Sequence, residues 1–309
     1  MRLFEPAGPP QTSRLEPQEK LMESVPALLL GTVVLRPYVF IFLLVYLIGC
    51  SLHLGLKRAL IFCAAGYALT WLSEYSSIHT GFPYGWYRYI DSTSARELWV
   101  LGVPFMDSLS YVFLAYASYS LALLVLCPAI GHRGMWYMLE TRETRGSLAA
   151  RILGALFMVY LDIIIDPVAL QGEKWFLGRL YEYPGGGVYF GIPVSNFAGW
   201  ALVGFLLVWL IQWIDTRLEG KKDVVGYGYP SRYLIGPGLY LGIAGFNIFM
   251  AFFIGEYNTA WSSLFIFLLP AVLVFSIVKM RLAGPEDAGA IDAHRRDFPD
   301  ARVPVSARQ

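Results

Sequence analysis

Charged residues are scarce in this sequence. Asp, Glu, Lys and Arg make up 15% of the 309 residues, and 56% are hydrophobic, whereas about 25% of an average soluble domain is charged. A soluble protein of this length would have to bury the apolar excess in one core, and single cores stop growing near this size. A lipid bilayer is the simpler solvent, so we expect a membrane protein.

Histidine and cysteine are also few, which argues against several chemistries. The four histidines are scattered, whereas membrane di-iron enzymes need clustered histidine ligands. The three cysteines lie in apolar stretches at uneven spacing and fit core positions better than a disulfide framework or a metal site. No glycine-rich dinucleotide fingerprint follows a strand, and a formal net charge of +1 gives no sign of nucleic-acid binding. We expect no cofactor, no metal and no nucleic-acid partner.

Long apolar runs are plentiful. A membrane-spanning helix needs about 20 mostly apolar residues, and the sequence offers seven candidates: 37–54, 58–76, 98–126, 147–166, 194–214, 234–254 and 260–279. A shorter apolar piece, 25–35, is cut off by Arg36-Pro37, and we interpret it as interfacial or re-entrant, with an eighth helix as the alternative. The runs predict an all-α fold, a polytopic helical membrane bundle of about seven transmembrane helices within 25–280.

The two ends of the chain differ from this middle part. Residues 1–24 are polar and proline-rich without a signal-peptide pattern, and residues 281–309 are rich in Asp, Arg, Ala and Pro, so we expect both to be disordered. With seven helices, the short loops and helix ends carry four Lys or Arg on the N-terminal side and ten on the other. The positive-inside rule then predicts a multi-pass protein of the cell membrane with a cytoplasmic C-terminus.

Acidic and amide side chains inside the predicted spans are the main functional signal, because such groups are costly in a bilayer and usually face the bundle interior. The residues at or near the ends of the spans are Glu74, Asp107, Asp162, Asp166, Asn196 and Glu256. Alternating helix directions place all of them in the same half of the membrane. Asp107 is predicted about nine residues, roughly 14 Å, into the third helix. Asp162 and Asp166, at i and i+4, share one helix face.

Ordinary structural roles are open for some of these residues. Asp166 precedes Pro167 and is equally consistent with a helix that ends at the membrane interface. Glu256 fits a solvated loop, and His79 fits a loop histidine that is simply hydrogen-bonded. Asp107 and Asp162 are harder to explain in this way, because their predicted depth demands partners or protonation.

Two stretches carry a pattern known from a membrane enzyme family. The first is Glu-Tyr-Ser-Ser-Ile-His-Thr-Gly-Phe-Pro-Tyr-Gly-Trp-Tyr-Arg-Tyr at 74–89, followed by Leu-Gly-Val-Pro-Phe at 101–105. The second runs from Asp162 through Asp166-Pro167 and Gly-Glu-Lys-Trp at 172–175 to Gly-Ile-Pro-Val-Ser-Asn-Phe-Ala-Gly-Trp at 191–200. Over about 60–280 the chain resembles the CruF-type carotenoid biosynthesis family, the membrane carotenoid 1,2-hydratases that include γ-carotene and bisanhydrobacterioruberin hydratases.

The resemblance implies a reaction and a substrate class. Members of that family add water across the terminal C1–C2 double bond of an acyclic (ψ) carotenoid end group, which gives a 1-hydroxy carotenoid without a redox cofactor. The implied substrates are lycopene, γ-carotene or a C50 bacterioruberin precursor, dissolved in the lipid bilayer. Association with other enzymes of the carotenoid pathway is compatible with this role.

Hydration of an unactivated alkene requires a proton at C2 and capture of the resulting C1 cation by water. A carboxylic acid kept protonated by dry surroundings can supply that proton, and our candidates are Asp162 first, then Asp107 and Glu74. Asp166 is the candidate that orders the water and accepts its proton. Aromatic faces can stabilise the cation. The candidate substrate-binding residues are His79, Tyr84, Trp86, Tyr87, Tyr111, Trp175, Asn196 and Trp200.

Two other functional classes are compatible with the same residues. A cofactor-free carotenoid cyclase or isomerase would use the same protonation step but would exclude water. An isoprenoid-binding membrane carrier would also gather carboxylates within the membrane. No inverted repeat is visible, however, and the polar groups cluster in one half of the membrane. The resemblance favours hydration.

Overall fold

The structure is a computed structural model that describes residues 24–132, 135–176, 178–218, 229–282 and 288–301. Helices make up most of it. In chain order they are α1 (Val25–Leu35), α2 (Pro37–His53), α3 (Leu56–Thr80), α4 (Phe105–Leu126), α5 (Arg142–Gly146), α6 (Leu148–Ala169), α7 (Val194–Arg217), α8 (Ile235–Phe253), α9 (Tyr257–Leu282) and α10 (Ala288–Asp297). Short antiparallel strands lie in the connections: β1 (Arg88–Tyr89) with β6 (Tyr181–Glu182), β2 (Trp99–Val100) with β3 (Val103–Pro104), and β4 (Ala129–His132) with β5 (Met135–Met138).

The predicted all-α membrane bundle is confirmed, and each of the seven predicted spans corresponds to a helix from α2 to α9. Among the described residues, five helices are long and apolar enough to cross a membrane, namely α4, α6, α7, α8 and α9. The pair α1 and α2 adds a sixth if it counts as one bent span. Helix α3 is 25 residues long but is more polar than these five helices. It packs against α2, α4 and α7.

The break between α1 and α2 is a sharp bend of 91°. Pro37 opens α2, where its missing N–H costs nothing and its ring prevents the previous residue from continuing a helix. The Arg36 guanidinium is buried at the bend and binds the Glu97 carboxylate with two N–O distances of 2.9 and 3.1 Å. This geometry fits either a broken span or the re-entrant segment expected from the sequence.

The third predicted span begins later than expected, at Phe105 rather than at 98. Residues 99–104 form the β2–β3 hairpin, because Leu101 and Gly102 adopt positive φ angles of 49° and 84° and reverse the chain. Glycine tolerates such a backbone readily. Asp107 therefore lies in the first turn of α4, and the prediction of its depth is wrong.

Helix α6 continues through Pro167 to Ala169, so Asp166 lies within the helix and is buried. A proline cannot donate the bond to the carbonyl four residues earlier, which here belongs to Ile163. The Tyr189 hydroxyl donates to that carbonyl instead, at 3.2 Å. The alternative in which the helix ends at Asp166, before Pro167, is therefore wrong.

Part of the expected disordered tail is structured. Helix α10 packs on the turn before α5, where His294 Nδ1 donates to the Glu140 carbonyl at 2.7 Å and the Arg142 backbone N–H donates to Asp297 at 2.9 Å. The expectation of disorder is thus corrected for 288–297. The same expectation for 1–23, 283–287 and 302–309 lies outside the described residues.

Candidate functional site

One cavity collects most of the residues singled out in the sequence. It lies among α2, α3, α4, α6, α7 and α8 and has a volume of ≈ 110 Å³, several times the space of about 15 Å³ that one ordered water needs. The predicted site residues that line it are Glu74, Tyr84, Tyr87, Asp107, Tyr111, Asp166, Trp175, Asn196 and Trp200. The prediction that these groups from different helices meet on one side of the bundle agrees with this geometry.

Three other predicted residues do not line the cavity. His79 lies five residues after Glu74 on α3, about 140° around the helix, and its Nδ1 donates to the Tyr75 carbonyl at 2.7 Å. Trp86 is 63% exposed. Asp162 is fully buried behind Asn196. His79 and Trp86 therefore lie outside this cavity, and their substrate-binding role stays a prediction. Outside the site, Glu256 pairs with Lys174.

Close helix packing shapes the cavity wall beside Tyr84. Gly199 of α7 approaches the loop so closely that a Cβ there would lie 2.5 Å from the Tyr84 ring and 2.8 Å from the Pro83 carbonyl oxygen. A larger residue would displace Tyr84, whose hydroxyl lies 3.0 Å from Ser73 Oγ. The glycine thus allows the loop after α3 to enter the bundle.

A shared tyrosine hydroxyl links two carboxyl groups on one side of the cavity. Tyr89 Oη lies 2.7 Å from Asp107 Oδ2 and 3.1 Å from Glu74 Oε1. Burial, followed by the charges of Asp107 and Glu74, raises the pKa of Tyr89 well above its usual value, so the phenol keeps its single proton. It can donate to only one carboxylate at a time. Its contact with the other carboxyl group is favourable only if that carboxyl carries a proton and donates it to the Tyr89 oxygen.

The surroundings indicate which carboxyl holds that proton. Asp107 occupies the first turn of α4, where the backbone N–H groups and the helix dipole favour a negative charge. Glu74 is 1% exposed, and among the described residues only the Tyr89 and Ser108 hydroxyls hydrogen-bond its carboxyl group. We therefore assign the proton to Glu74 and the negative charge to Asp107, with Tyr89 donating to Asp107.

The opposite carboxylate, Asp166, is surrounded by donors. The Tyr181 and Tyr183 hydroxyls donate to it at 2.8 and 3.1 Å, and Asn196 Nδ2 donates at 3.0 Å. Burial and then the Asp166 charge raise the pKa of both tyrosines, so both remain donors. Three donors satisfy an ionised carboxylate. The same Asn196 amide donates to Asp162 at 2.8 Å.

A two-residue ladder brings the two sides together. Strands β1 and β6 pair Tyr89 with Tyr181 and Arg88 with Glu182. Because side chains alternate across a strand, both tyrosines face the cavity, while Arg88 Nε donates to Glu182 at 2.6 Å on the outside. Sequence reasoning missed Tyr89, Tyr181 and Tyr183. The i, i+2 spacing of Tyr181 and Tyr183, which puts both on one face of an extended segment, was the signal available in the sequence.

Aromatic rings form the remaining wall. Tyr111 and Trp200 stack with ring centroids 4.4 Å apart and planes at 14°, and Tyr84 lies within 6.4 Å of both rings. The faces of such rings attract a positive charge. Among the described residues, no group of three or more His, Cys, Asp or Glu side chains is arranged to hold a metal ion.

The site and helices define a helical membrane protein with an acidic, aromatic cavity inside the bundle. Residues 25–273 match the family described as carotenoid biosynthesis protein, so the chain belongs to that family. A relative from Haloarcula japonica, named bisanhydrobacterioruberin hydratase, is 31% identical over 155 residues, which is 48% of this chain and 45% of that protein. The match thus spans less than half of the relative's length. No solved structure gives a significant match.

Proposed function

We propose that the protein is a cofactor-independent carotenoid hydratase that adds water across the terminal C1–C2 double bond of an acyclic end group. The observation that carries the proposal is that one cavity places Glu74 and Asp107, linked by the Tyr89 hydroxyl, opposite the Asp166 carboxylate, which accepts from three donors. Family membership and the hydratase name of the relative support it.

Proton delivery starts at Glu74. Tyr89 accepts the Glu74 proton and passes its own to Asp107, which is only half-buried and faces the cavity. Asp107 then protonates C2, and the π electrons form the new C–H bond, which leaves a tertiary cation at C1. The stacked Tyr111 and Trp200 rings stabilise this cation. Asp162 does not contact the cavity, so we move the acid role from Asp162 to Asp107.

Water capture completes the reaction. A water bound near Asp166 attacks C1 and forms the C–O bond, and Asp166 accepts the proton that the water loses. The net change is one hydrogen at C2 and one hydroxyl at C1. Transfer of the proton from Asp166 back to Glu74 restores the starting state of the enzyme. Asp162 orients Asn196, which in turn holds Asp166.

The substrate is an acyclic carotenoid such as lycopene, γ-carotene or a C50 precursor, taken from the bilayer. The protein lies in the cell membrane with its C-terminus in the cytoplasm, following the excess of Lys and Arg on that side. Association with other carotenoid enzymes would pass on the insoluble substrate.

The proposal is tested by pigment analysis in a lycopene-producing bacterial host. Wild-type protein should yield a pigment that has gained one water per modified end. Asp107→Asn and Asp166→Asn should abolish that product at normal protein levels, whereas Glu256→Gln, which lies outside the cavity, should not. A product of unchanged mass would indicate a cyclase or isomerase. Unchanged pigment with every acyclic substrate would indicate a carrier.

A further inference from the structure

A space separate from the site cavity lies beside α9, and its lining is mostly apolar. This lateral groove has a volume of ≈ 320 Å³ and is formed by α4, α6, α8 and α9 together with Trp136 of β5. Two tyrosine hydroxyls lie among its lining residues, and both are already engaged. Tyr240 donates to the Phe157 carbonyl at 3.0 Å, and Tyr160 donates to the Ile266 carbonyl. The lateral groove therefore presents a hydrocarbon surface.

Pro270 explains the second of these bonds. It lies inside α9 and lacks the N–H that would bind the carbonyl of Ile266, four residues earlier. The Tyr160 hydroxyl of α6 supplies the missing donor. This contact ties α9 to α6 at one wall of the lateral groove.

The lateral groove and the site cavity are lined by different residues of the same helices, α4, α6 and α8. On α4, Leu114 lines the cavity and Leu121 lines the groove, two turns or about 10 Å apart on one face. On α8, Ile243 lines the cavity and Tyr240 the groove. Both helices place the groove farther from the acidic residues, toward the opposite side of the membrane.

We infer that the lateral groove binds the unreacted polyene chain of the substrate whose end group occupies the site cavity. This inference rests on the proposed function. A cavity of ≈ 110 Å³ holds an end group but not a long conjugated chain. The stiff remainder must continue in a straight line over apolar surface, and the groove supplies such a surface along α4 and α8.

The test blocks the lateral groove without touching the acidic residues. A Cβ at Gly238 would meet no atom within 4 Å, so Gly238→Leu fills groove space without a backbone clash. Gly242 is equally open and lies one turn farther along α8 outside the groove lining, so Gly242→Leu is the matched control. Phe275→Trp narrows the groove from α9 and serves as a second variant if Gly238→Leu fails to fold.

Binding is measured separately from catalysis. Lycopene is titrated into each purified protein in nanodiscs and followed by the circular dichroism induced in the polyene. We expect at least tenfold weaker binding in Gly238→Leu or Phe275→Trp and wild-type binding in Gly242→Leu. Unchanged lycopene binding in the folded groove variants would overturn the inference. If those variants bound lycopene normally but lost a co-purified phospholipid, a lipid chain would occupy the groove instead.

The same samples separate this inference from the proposed function. Lycopene bound by the wild-type protein but never hydrated would contradict the hydratase proposal, while the groove variants would still report where the chain lies. Failure of the wild-type protein to bind any acyclic carotenoid would contradict both.

Discussion

Tyr89 and Tyr181 face each other across the β1–β6 ladder, with ring centroids 6.3 Å apart and planes at 84°. One hydroxyl contacts the Glu74 and Asp107 carboxyls, and the other donates to Asp166. A single pair of backbone partners therefore positions the hydroxyls beside the groups to which we assign proton delivery and proton acceptance. The outward ion pair of Arg88 with Glu182 holds the same ladder from outside.

Replacing Tyr89 by phenylalanine tests the proton relay. Tyr89→Phe removes the hydroxyl between Glu74 and Asp107, and we expect the hydration rate to fall by about 10²-fold, the usual contribution of a positioned acid or base. Single-turnover product formation by the purified enzyme measures this rate. Tyr257→Phe, at a position 62% exposed, is the control and should react normally. A normal rate in Tyr89→Phe would remove the hydroxyl from the mechanism.

Asp162 and Asp166 should differ in importance even though they share a helix face. Asp162 lies behind Asn196, and an asparagine at 162 keeps an oxygen that can accept from the Asn196 amide. We expect Asp162→Asn to retain at least tenfold more hydratase activity than Asp166→Asn, measured by product yield per protein. Equal loss in both variants would return Asp162 to the chemical step.

The bond between Tyr189 and the Ile163 carbonyl should stabilise α6 where Pro167 interrupts it. Tyr189→Phe leaves the carbonyl without a donor, so we expect a loss of about 1 kcal/mol in unfolding free energy. In a Pro167→Ala background the alanine N–H can donate to the Ile163 carbonyl instead. Tyr189→Phe should then lower the unfolding free energy by less. Thermal unfolding of the four proteins in one detergent measures the coupling. Additive effects would show that the contribution of Tyr189 does not depend on Pro167, and this would contradict the expected role of the bond.

A buried ion network at the opposite end of the bundle should make stability depend on pH. Arg145 contacts the Glu140 carboxylate at 2.5 and 2.8 Å, and His53 Nε2 contacts it at 3.0 Å. Burial alone would raise the pKa of Glu140, but the charges of Arg145 and His53 together hold it well below its usual value. Because the folded pKa is depressed, the stabilisation is complete above the unfolded value of about 4.3 and is lost as the pH falls toward the folded value.

Glu140→Gln should remove this acid sensitivity. Breaking a buried ion pair costs about 3 kcal/mol, so the variant should unfold at a lower temperature near neutral pH. Its melting temperature should also decline less than that of the wild type between about pH 5 and pH 3. Glu173→Gln, at an exposed side chain, is the matched control. An equal decline of the melting temperature with pH in Glu140→Gln and the wild type would show that Glu140 does not cause the acid sensitivity.

The sequence predicted the helices and the principal carboxylates for one physical reason: polar groups are rare and costly in a bilayer. Apolar runs therefore marked α2, α3, α4, α6, α7, α8 and α9, and the exceptions Glu74, Asp107 and Asp166 marked the cavity. The start of α4 was wrong because the apolar content of 98–104 resembles a helix, although the chain reverses at Gly102.

The tyrosines of the site could not be predicted in the same way. Tyr89 and Tyr181 lie on two-residue strands between helices, and pairs so far apart in sequence leave no periodic pattern. A tyrosine also fits a membrane interface as well as it fits an active site. Only the folded loops show that these hydroxyls point inward to the carboxyl groups.

The hydratase proposal is tested most directly by liquid chromatography with mass spectrometry of pigments from a lycopene-producing host that carries wild-type protein or Asp166→Asn. We expect a pigment one water heavier per modified end with the wild type and none with the variant at equal protein levels. The same heavier pigment from both proteins would contradict the role of Asp166. No heavier pigment from the wild type, with lycopene or any other acyclic carotenoid, would contradict the hydratase itself.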